Sequence, residues 1–143
     1  MHADCVTSTR RAFIAHQQVD AAFVRTLAVH LTGWETGWAF NDLIPYVDGW
    51  QLLATEAIEQ AHAFVLVATR NSFRSEPCQF EWNVALALRK QIIRIDLDGC
   101  PGELVPDSLR GVSAVVATKD CAEDAARALL DRLRQPASMI ENT

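Results

Sequence analysis

The sequence predicts a single three-layer α/β sandwich built around a mostly parallel β-sheet. Short apolar segments alternate along its 143 residues with segments whose apolar residues recur at helical spacing. One segment, AFVLVAT at 63–69, is apolar without alternation, which is typical of a central parallel strand buried on both faces. Half of the residues are hydrophobic and 22% are charged, as in ordinary globular domains, and the length fits one domain.

The first half of the chain predicts two strands with a helix between them. AFIAH at 12–16 is a short apolar strand, and TGWAF at 36–40 is the second strand. A helix is predicted from Asp20 to Leu31, with Asp20 as its N-cap and Gly33 marking the region where it ends.

The second half continues the same alternation and completes a sheet of five strands. The predicted elements up to the third strand are a loop at 41–49, a helix at 50–61 and a strand at 63–69. A loop at 70–77 and a helix with Pro77 in its first turn follow. The last elements are strands at 91–97 and 112–118, joined by a loop with one helical turn, and a helix from about Asp120.

At this size the expected strand order is 2-1-3-4-5, the flavodoxin-like arrangement with helices on both faces. Such sheets bind ligands at the carboxyl ends of their strands, beside the point between the first and third strands where the winding reverses. The segments AHQQVD at 15–20 and TRNSFRSEPC at 69–78 border that crevice. Glu81 lies about one turn into the helix that leaves the second of them.

Composition excludes several classes of function. The net charge is −5 and Lys and Arg form no cluster, which argues against nucleic acid as a partner. The longest apolar run, at 63–68, is too short for a membrane helix, and the amino terminus has no signal-peptide core. No phosphate-binding glycine motif is present. The cysteines at Cys5, Cys78, Cys100 and Cys121 are scattered without metal-ligand spacing, so no metal site is expected. With no secretory signal, they are predicted to be reduced thiols of a cytoplasmic protein.

Glu81 is the unusual residue of the segment SEPCQFEWNVALALRK at 75–90. Its same-face neighbours on a helix are Cys78, Ala85 and Leu88, and no Lys or Arg lies three or four positions away. Such a carboxylate is either a helix glutamate at the rim of a buried surface, with its charge in water, or a group with a chemical task. A response-regulator function would need clustered acidic residues after the first strand, where the chain has Ala15-His16-Gln17.

Taken together, these segments resemble a TIR (Toll/interleukin-1 receptor) domain of the bacterial type. FIAHQQVD at 13–20 is similar to the family's FISYSxxD opening, and WAFNDLIPYVDGW at 38–50 to its second strand and BB loop. AIEQAHAFVLVATRNSFRSEPCQFEW at 57–82 is similar to AIxxSxxxIxVxSxxYxxSxWCxxE. The similarity predicts an amino-terminal extension at 1–11, a TIR domain at 12–134, and a tail or linker at 135–143.

The resemblance implies an enzyme that cleaves NAD⁺, with Glu81 as the catalytic residue. Nicotinamide leaves the ribose as a neutral molecule and needs no proton, so one carboxylate suffices where an ordinary glycosidase needs two. NAD⁺ is then the substrate, and no cofactor is expected. The product is ADP-ribose or a cyclic isomer, and the bacterial resemblance implies an effector in antiphage defence that is activated by self-assembly.

Family resemblance also assigns residues to the nucleotide site and to protein contacts. The substrate-binding candidates are Phe13, Ala15, His16, Asp42, Trp50, Cys78 and Trp82. The BB-loop candidates for homotypic TIR–TIR association, of which a filament is one form, are Leu43, Ile44, Pro45, Tyr46 and Val47. Purely structural roles stay open for four of these candidates. His16 is then an ordinary hydrogen-bonded residue, Asp42 caps its own loop, Trp50 belongs to the core and Cys78 only packs.

A non-catalytic interaction module is the competing hypothesis. The chain has Ala15-His16 where the family has Ser-Tyr, and Pro77 where it has Trp. These substitutions suit a domain that acts by TIR–TIR contact alone, with a further domain or a regulatory protein as its partner. A related enzyme that cuts another N-glycosidic bond is a third alternative.

Overall fold

The computed structural model describes residues 10–36 and 48–135. The five strands in these residues form one parallel sheet in the order β2-β1-β3-β4-β5, which confirms the predicted order. The strands are β1 (Arg10–Ala15), β2 (Trp34–Glu35), β3 (Ala63–Ala68), β4 (Gln91–Leu97) and β5 (Ser113–Ala117).

Helices cover both faces of the sheet and make the three predicted layers. They are α1 (Ala21–Val29), α2 (Trp50–Gln60), α3 (Arg70–Arg74), α4 (Glu76–Ala87) and α5 (Ala122–Leu133). Helices α1 and α5 pack on one face in a core that contains Leu27, Val65 and Leu129. Helices α2 and α4 pack on the other face in a core that contains Ile58, Phe64 and Trp82. Every residue of β3 is fully buried, as its unbroken apolar run predicts.

The predicted loop at 70–77 is wrong in its first part, because Arg70–Arg74 forms the short helix α3. Thr69 and Ser72 form a reciprocal capping box: the Ser72 N–H donates to Thr69 Oγ1 at 3.0 Å, and the Thr69 N–H donates to Ser72 Oγ at 2.8 Å. Two otherwise unpaired backbone donors are satisfied in this way, which stabilises a turn too short to form alone.

Asp20 occupies the N-cap position of α1, but its side chain does not cap the helix. The carboxylate is 2% exposed, and its Oδ1 lies 3.4 Å from Lys119 Nζ, so tertiary charge pairing replaces the predicted local cap. The last helix begins at Ala122, close to the predicted start near Asp120, and the Asp120 carboxylate accepts a hydrogen bond from Thr118 Oγ1 at 2.8 Å.

The described part of the edge strand β2 lies just before the segment predicted at 36–40. It pairs Trp34 with Arg10 and Glu35 with Arg11, so β1 begins two residues inside the predicted 1–11 extension. Thr36 follows the strand, and the rest of the predicted segment at 36–40 lies outside the described residues, as do Asp42 and the predicted BB-loop residues at 43–47.

Candidate functional site

Glu81 lies near the edge of the sheet where the parallel strands β1 and β3 both end. Ala15 at the end of β1 is in register with Leu66 of β3, so the residues that follow these strands meet at one edge. The segment after β1 contributes His16 and Gln17, and the segment after β3 contributes α3 and the first turns of α4. This is the crevice that the sequence predicts.

Local hydrogen bonds set the start of α4, which carries the site. Ser75 is its N-cap and accepts a hydrogen bond from the Cys78 N–H at 3.2 Å. Pro77 lies in the first turn, where a missing N–H costs nothing. The Gln79 amide donates to the Phe73 carbonyl at 2.8 Å and ties α4 to α3. The helix therefore enters the crevice in a defined orientation.

The Glu81 side chain is partly buried, and its burial raises the pKa of the carboxyl group to about 8 from its ordinary value of 4.5. Burial is the cause because removing a carboxylate from water disfavours its charged form. Among the described residues, no hydrogen bond or ion pair to Glu81 counteracts this effect. A carboxyl group that ionises near neutral pH can take up or release a proton in catalysis.

Cys78 lies one turn before Glu81 and is 1% exposed. Its thiol pKa is raised to about 12, first by burial and second by the charge of Glu81, against the smaller effects of hydrogen bonds with Ser75 and Gln17. The thiol is therefore not a nucleophile at neutral pH, and the prediction that it is a small packing residue is the one the structure favours. Gln17, which the sequence did not single out, joins the end of β1 to α4 through this contact.

An aromatic pair joins the start of α2 to α4, the helix that carries Glu81. Trp50, the first residue of α2, and Phe80, which precedes Glu81, pack edge to face with ring centroids 5.2 Å apart. Both rings are half-buried. The sequence predicted Trp50 as a site residue and missed Phe80, although its apolar position next to Glu81 was a usable signal. Half-exposed rings of this kind can hold a planar ligand group.

Three of the predicted substrate-binding residues face the core in this structure. Phe13 stacks on Phe64 with centroids 5.6 Å apart, and Ala15 lies on the same face of β1. Trp82 packs edge to face on Phe73 at 6.2 Å. All three candidates are 5% exposed or less, so in this structure they are core residues that present little surface to a ligand.

His16 follows β1 directly and is half-buried. Its Nδ1 lies 3.2 Å from the Ile14 carbonyl oxygen, to which it donates in the Nδ1–H tautomer. This backbone contact orients the ring at the crevice edge, and a ligand contact by His16 stays a prediction. Asp42 and the BB-loop candidates lie outside the described residues.

Two further observations concern metal binding and membrane helices. Among residues 10–36 and 48–135, no three His, Cys, Asp or Glu side chains are grouped so that they could hold a metal ion. No helix in the same part of the chain is long and apolar enough to cross a membrane. Among the described residues, the crevice brings together the half-buried Glu81 carboxyl group, the buried Cys78 thiol, the Gln17 amide and the His16 ring, and α4 also carries Phe80 of the aromatic pair.

The chain is similar to TIR domains by two comparisons. The family model described as TIR domain matches residues 12–133. A solved structure of a metazoan TIR-STING receptor from C. gigas, in complex with 2′,3′-cGAMP, superposes with a TM-score of 0.70 at 21% identity. The match covers 87% of this chain and 39% of that chain, so this chain spans well under half of that receptor. No curated protein matches the sequence.

Proposed function

The chain belongs to the TIR domain family, and we propose that it is an NAD⁺ nucleosidase that breaks the nicotinamide–ribose bond with Glu81 as its catalytic residue. The observation that carries the proposal is the partly buried Glu81 carboxyl group at the carboxyl edge of the sheet, with its pKa raised to about 8. Carboxyl groups perturbed by burial in a crevice are enriched at catalytic sites.

The chemistry requires one ionisable group. The C1′–N bond breaks with both electrons going to the pyridinium ring, which leaves as neutral nicotinamide, and positive charge develops on the ribose. An ionised Glu81 stabilises that charge. Water then adds at C1′ and loses a proton, for which a carboxylate with a pKa of about 8 is a much better acceptor than one at 4.5. Attack by a group of the substrate instead of water gives the cyclic product.

Substrate binding itself favours the ionised carboxylate. The free protein holds Glu81 mostly protonated at neutral pH, but a pyridinium cation beside it favours the charged form and lowers the pKa. We therefore expect kcat/KM, which reports the free enzyme, to rise with pH up to about 8. We expect kcat to reach its plateau at a lower pH, because it reports the complex.

Self-association belongs to the proposed mechanism. Val116 on the edge strand β5 is 81% exposed, and Leu52 on α2 is 64% exposed. Exposed apolar side chains, here one on a helix and one on the last strand of the described sheet, favour contact with another protein surface. We propose that assembly of copies of this domain activates the enzyme, and that it acts in the cytoplasm as an effector of bacterial antiphage defence.

A second candidate function is a non-catalytic TIR–TIR interaction module. The same exposed Leu52 and Val116 favour it, and so does Pro77 in the place of the family's Trp. This candidate makes Glu81 a rim carboxylate whose charge is dispensable. It therefore predicts that replacing Glu81 leaves association unchanged and that no nicotinamide is released under any condition.

The deciding experiment compares wild type, Glu81→Gln and Glu76→Gln for release of nicotinamide from NAD⁺. Glu76 is a matched control, because it is an exposed carboxylate on the same helix. The proteins are assayed at high concentration with a crowding agent, the products are separated by chromatography, and assembly is followed by light scattering. We expect release by wild type and Glu76→Gln and a loss of at least a hundredfold in Glu81→Gln, the size of a lost electrostatic contact to the transition state.

Each other outcome has a definite meaning. Equal release by wild type and Glu81→Gln means that another residue carries the chemistry. Absence of release by wild type, when light scattering shows that it has assembled, refutes the enzyme and supports the interaction module. A second product of ADP-ribose identifies a hydrolase, and a cyclic isomer identifies a cyclase.

A further inference from the structure

A cavity of about 480 Å³ opens at the carboxyl ends of β3, β4 and β5. Its lining comes from the segment before α1, the start of α3, the turn after β4 and the residue Lys119 after β5. Glu81, Cys78 and Trp50 are not among the lining residues, although Asp20 of the lining is close enough for its charge to act on the Cys78 thiol. The cavity therefore adjoins the candidate site described above and has a different lining.

A buried carboxylate lines this cavity. Asp20 is 2% exposed, and its Oδ2 has no hydrogen-bond partner among the described residues, while its Oδ1 lies 3.4 Å from Lys119 Nζ. That separation is longer than the 2.7–2.9 Å of a strong charge-assisted hydrogen bond, so the ammonium holds the carboxylate loosely. An unpaired buried acceptor costs free energy, which an O–H or N–H donor from a ligand recovers.

Two cations on different strand ends face the same space. Arg70 is exposed and makes no ion pair or hydrogen bond with the described residues. The Lys119 side chain is 52% exposed and keeps further N–H donors beyond its contact with Asp20. Asp98, the other carboxylate of the lining, accepts a hydrogen bond from the Lys119 backbone N–H at 2.9 Å, which offsets part of its charge. The cavity can therefore take one anionic group but not a polyanion.

We propose that this cavity binds a small phosphate monoester that carries hydroxyl groups, such as a sugar phosphate or a nucleoside monophosphate. Arg70 and Lys119 bind the phosphate, since guanidinium and ammonium groups are the usual partners of phosphate oxygens. As Lys119 turns towards the phosphate it uncovers Asp20, whose Oδ2 accepts a ligand hydroxyl. The volume of 480 Å³ suits a nucleotide-sized ligand better than an amino acid, which also carries an anion and a donor.

The test is isothermal titration calorimetry with ribose 5-phosphate and AMP as probes. Ribose, adenosine, inorganic phosphate and glutamine are titrated as comparison ligands, and adenosine and ribose test whether the phosphate is required. The variants are Arg70→Gln, Lys119→Met and Asp20→Asn, with Arg127→Gln as the control because Arg127 is an exposed arginine on α5 that does not line the cavity. Arg70→Lys tests rescue by charge.

We expect ribose 5-phosphate and AMP to bind and the dephosphorylated ligands not to bind. Arg70→Gln and Lys119→Met should each weaken both phosphate esters about tenfold to hundredfold, as for loss of a hydrogen bond to a charged group, and Arg127→Gln should not. Asp20→Asn should weaken ribose 5-phosphate but leave the weaker binding of inorganic phosphate unchanged, which a merely structural role of Asp20 would not do.

Several results would overturn the proposal. These are no heat with either ester, equal binding of adenosine and AMP, tighter binding of glutamine than of the esters, or unchanged affinity in both Arg70→Gln and Lys119→Met. Thermal unfolding of every variant identifies loss of folding, and Arg70→Gln keeps the test valid if Asp20→Asn is unstable, because Arg70 is exposed. None of these readouts uses NAD⁺ cleavage, so the outcome is independent of the proposed function.

Discussion

Glu81→Gln should make the protein more stable, and the gain should grow with pH. The carboxyl group has a pKa of about 8 in the folded protein and 4.5 as its ordinary value. Between these two values the folded state keeps the proton that the unfolded state has released. Because the folded state binds more protons, wild-type stability falls as pH rises through this window. Glutamine has nearly the same shape as glutamate and stays neutral, so the variant should not lose stability as the pH rises through this window.

The magnitude follows from the width of the window. Each pH unit inside it changes the free energy of unfolding by about 1.4 kcal/mol, so the ceiling for the whole window is roughly 5 kcal/mol. Water that enters around the partly exposed side chain relaxes part of this penalty, so we expect a gain of about 2–3 kcal/mol at the upper end. Well below pH 4.5 both side chains are neutral in both states, and the stability difference between the two proteins should no longer change with pH.

Urea unfolding followed by tryptophan fluorescence measures this difference across the window. The difference between variant and wild type cancels every other titrating group, and Glu76→Gln should give a flat difference as an exposed control on the same helix. A flat Glu81→Gln difference would refute the reasoning, because it would mean that Glu81 ionises normally in the folded protein. A difference of opposite slope would mean that a cation stabilises its charge.

Three further predictions concern packing, backbone and thiol chemistry. Leu129→Ala empties a fully buried position on α5 and should lower the free energy of unfolding in urea by about 2–5 kcal/mol. Gly49→Ala should lower the free energy of unfolding by about 1 kcal/mol in the same assay, because Gly49 has a φ of +78° where α2 begins. Gly111→Ala is the control and should leave the free energy of unfolding nearly unchanged, because Gly111 has open space around it and no positive φ. Iodoacetamide near neutral pH should label exposed Cys121 before Cys78, which burial shields and whose thiol pKa is about 12, as read by peptide mass spectrometry.

Each of these predictions has a result that contradicts it. A Leu129→Ala cost below about 1 kcal/mol would mean that the core of α1 and α5 closes over the vacated space. Equal costs for the two glycine variants would remove the argument from backbone conformation. Labelling of Cys78 in the folded protein at the rate of Cys121 would mean that the segment around Ser75 opens readily.

Periodicity in the sequence determined the architecture. The apolar run at 63–69 identified the central strand, and the alternation of strands with helices led to the strand order that the sheet adopts. The same reasoning placed α4 at the carboxyl edge and identified Glu81 on it. These features depend on local sequence, because side-chain periodicity and Pro77 act within one element.

Two local hydrogen-bonding features were harder to predict from the sequence, namely the helix at 70–74 and the side-chain partner of Asp20. The residues 70–74 carry few signs of a helix, and their helix depends on the reciprocal hydrogen bonds of Thr69 and Ser72. Asp20 has the residue type of an N-cap, but its carboxylate is directed to Lys119 instead. For Asp20, the ion pair with Lys119, which follows the edge strand β5, replaces a local hydrogen bond to the start of α1.

What only the tertiary structure decided is the environment of the candidate sites. The sequence places Glu81 beside apolar residues, but the elevation of its pKa depends on how much water the packed helices exclude. The contact of Gln17 with Cys78, the Trp50–Phe80 pair and the approach of Lys119 to Asp20 each join segments that are remote in sequence. Periodicity identifies which face of an element is buried, but desolvation and charge pairing depend on which other elements cover that face.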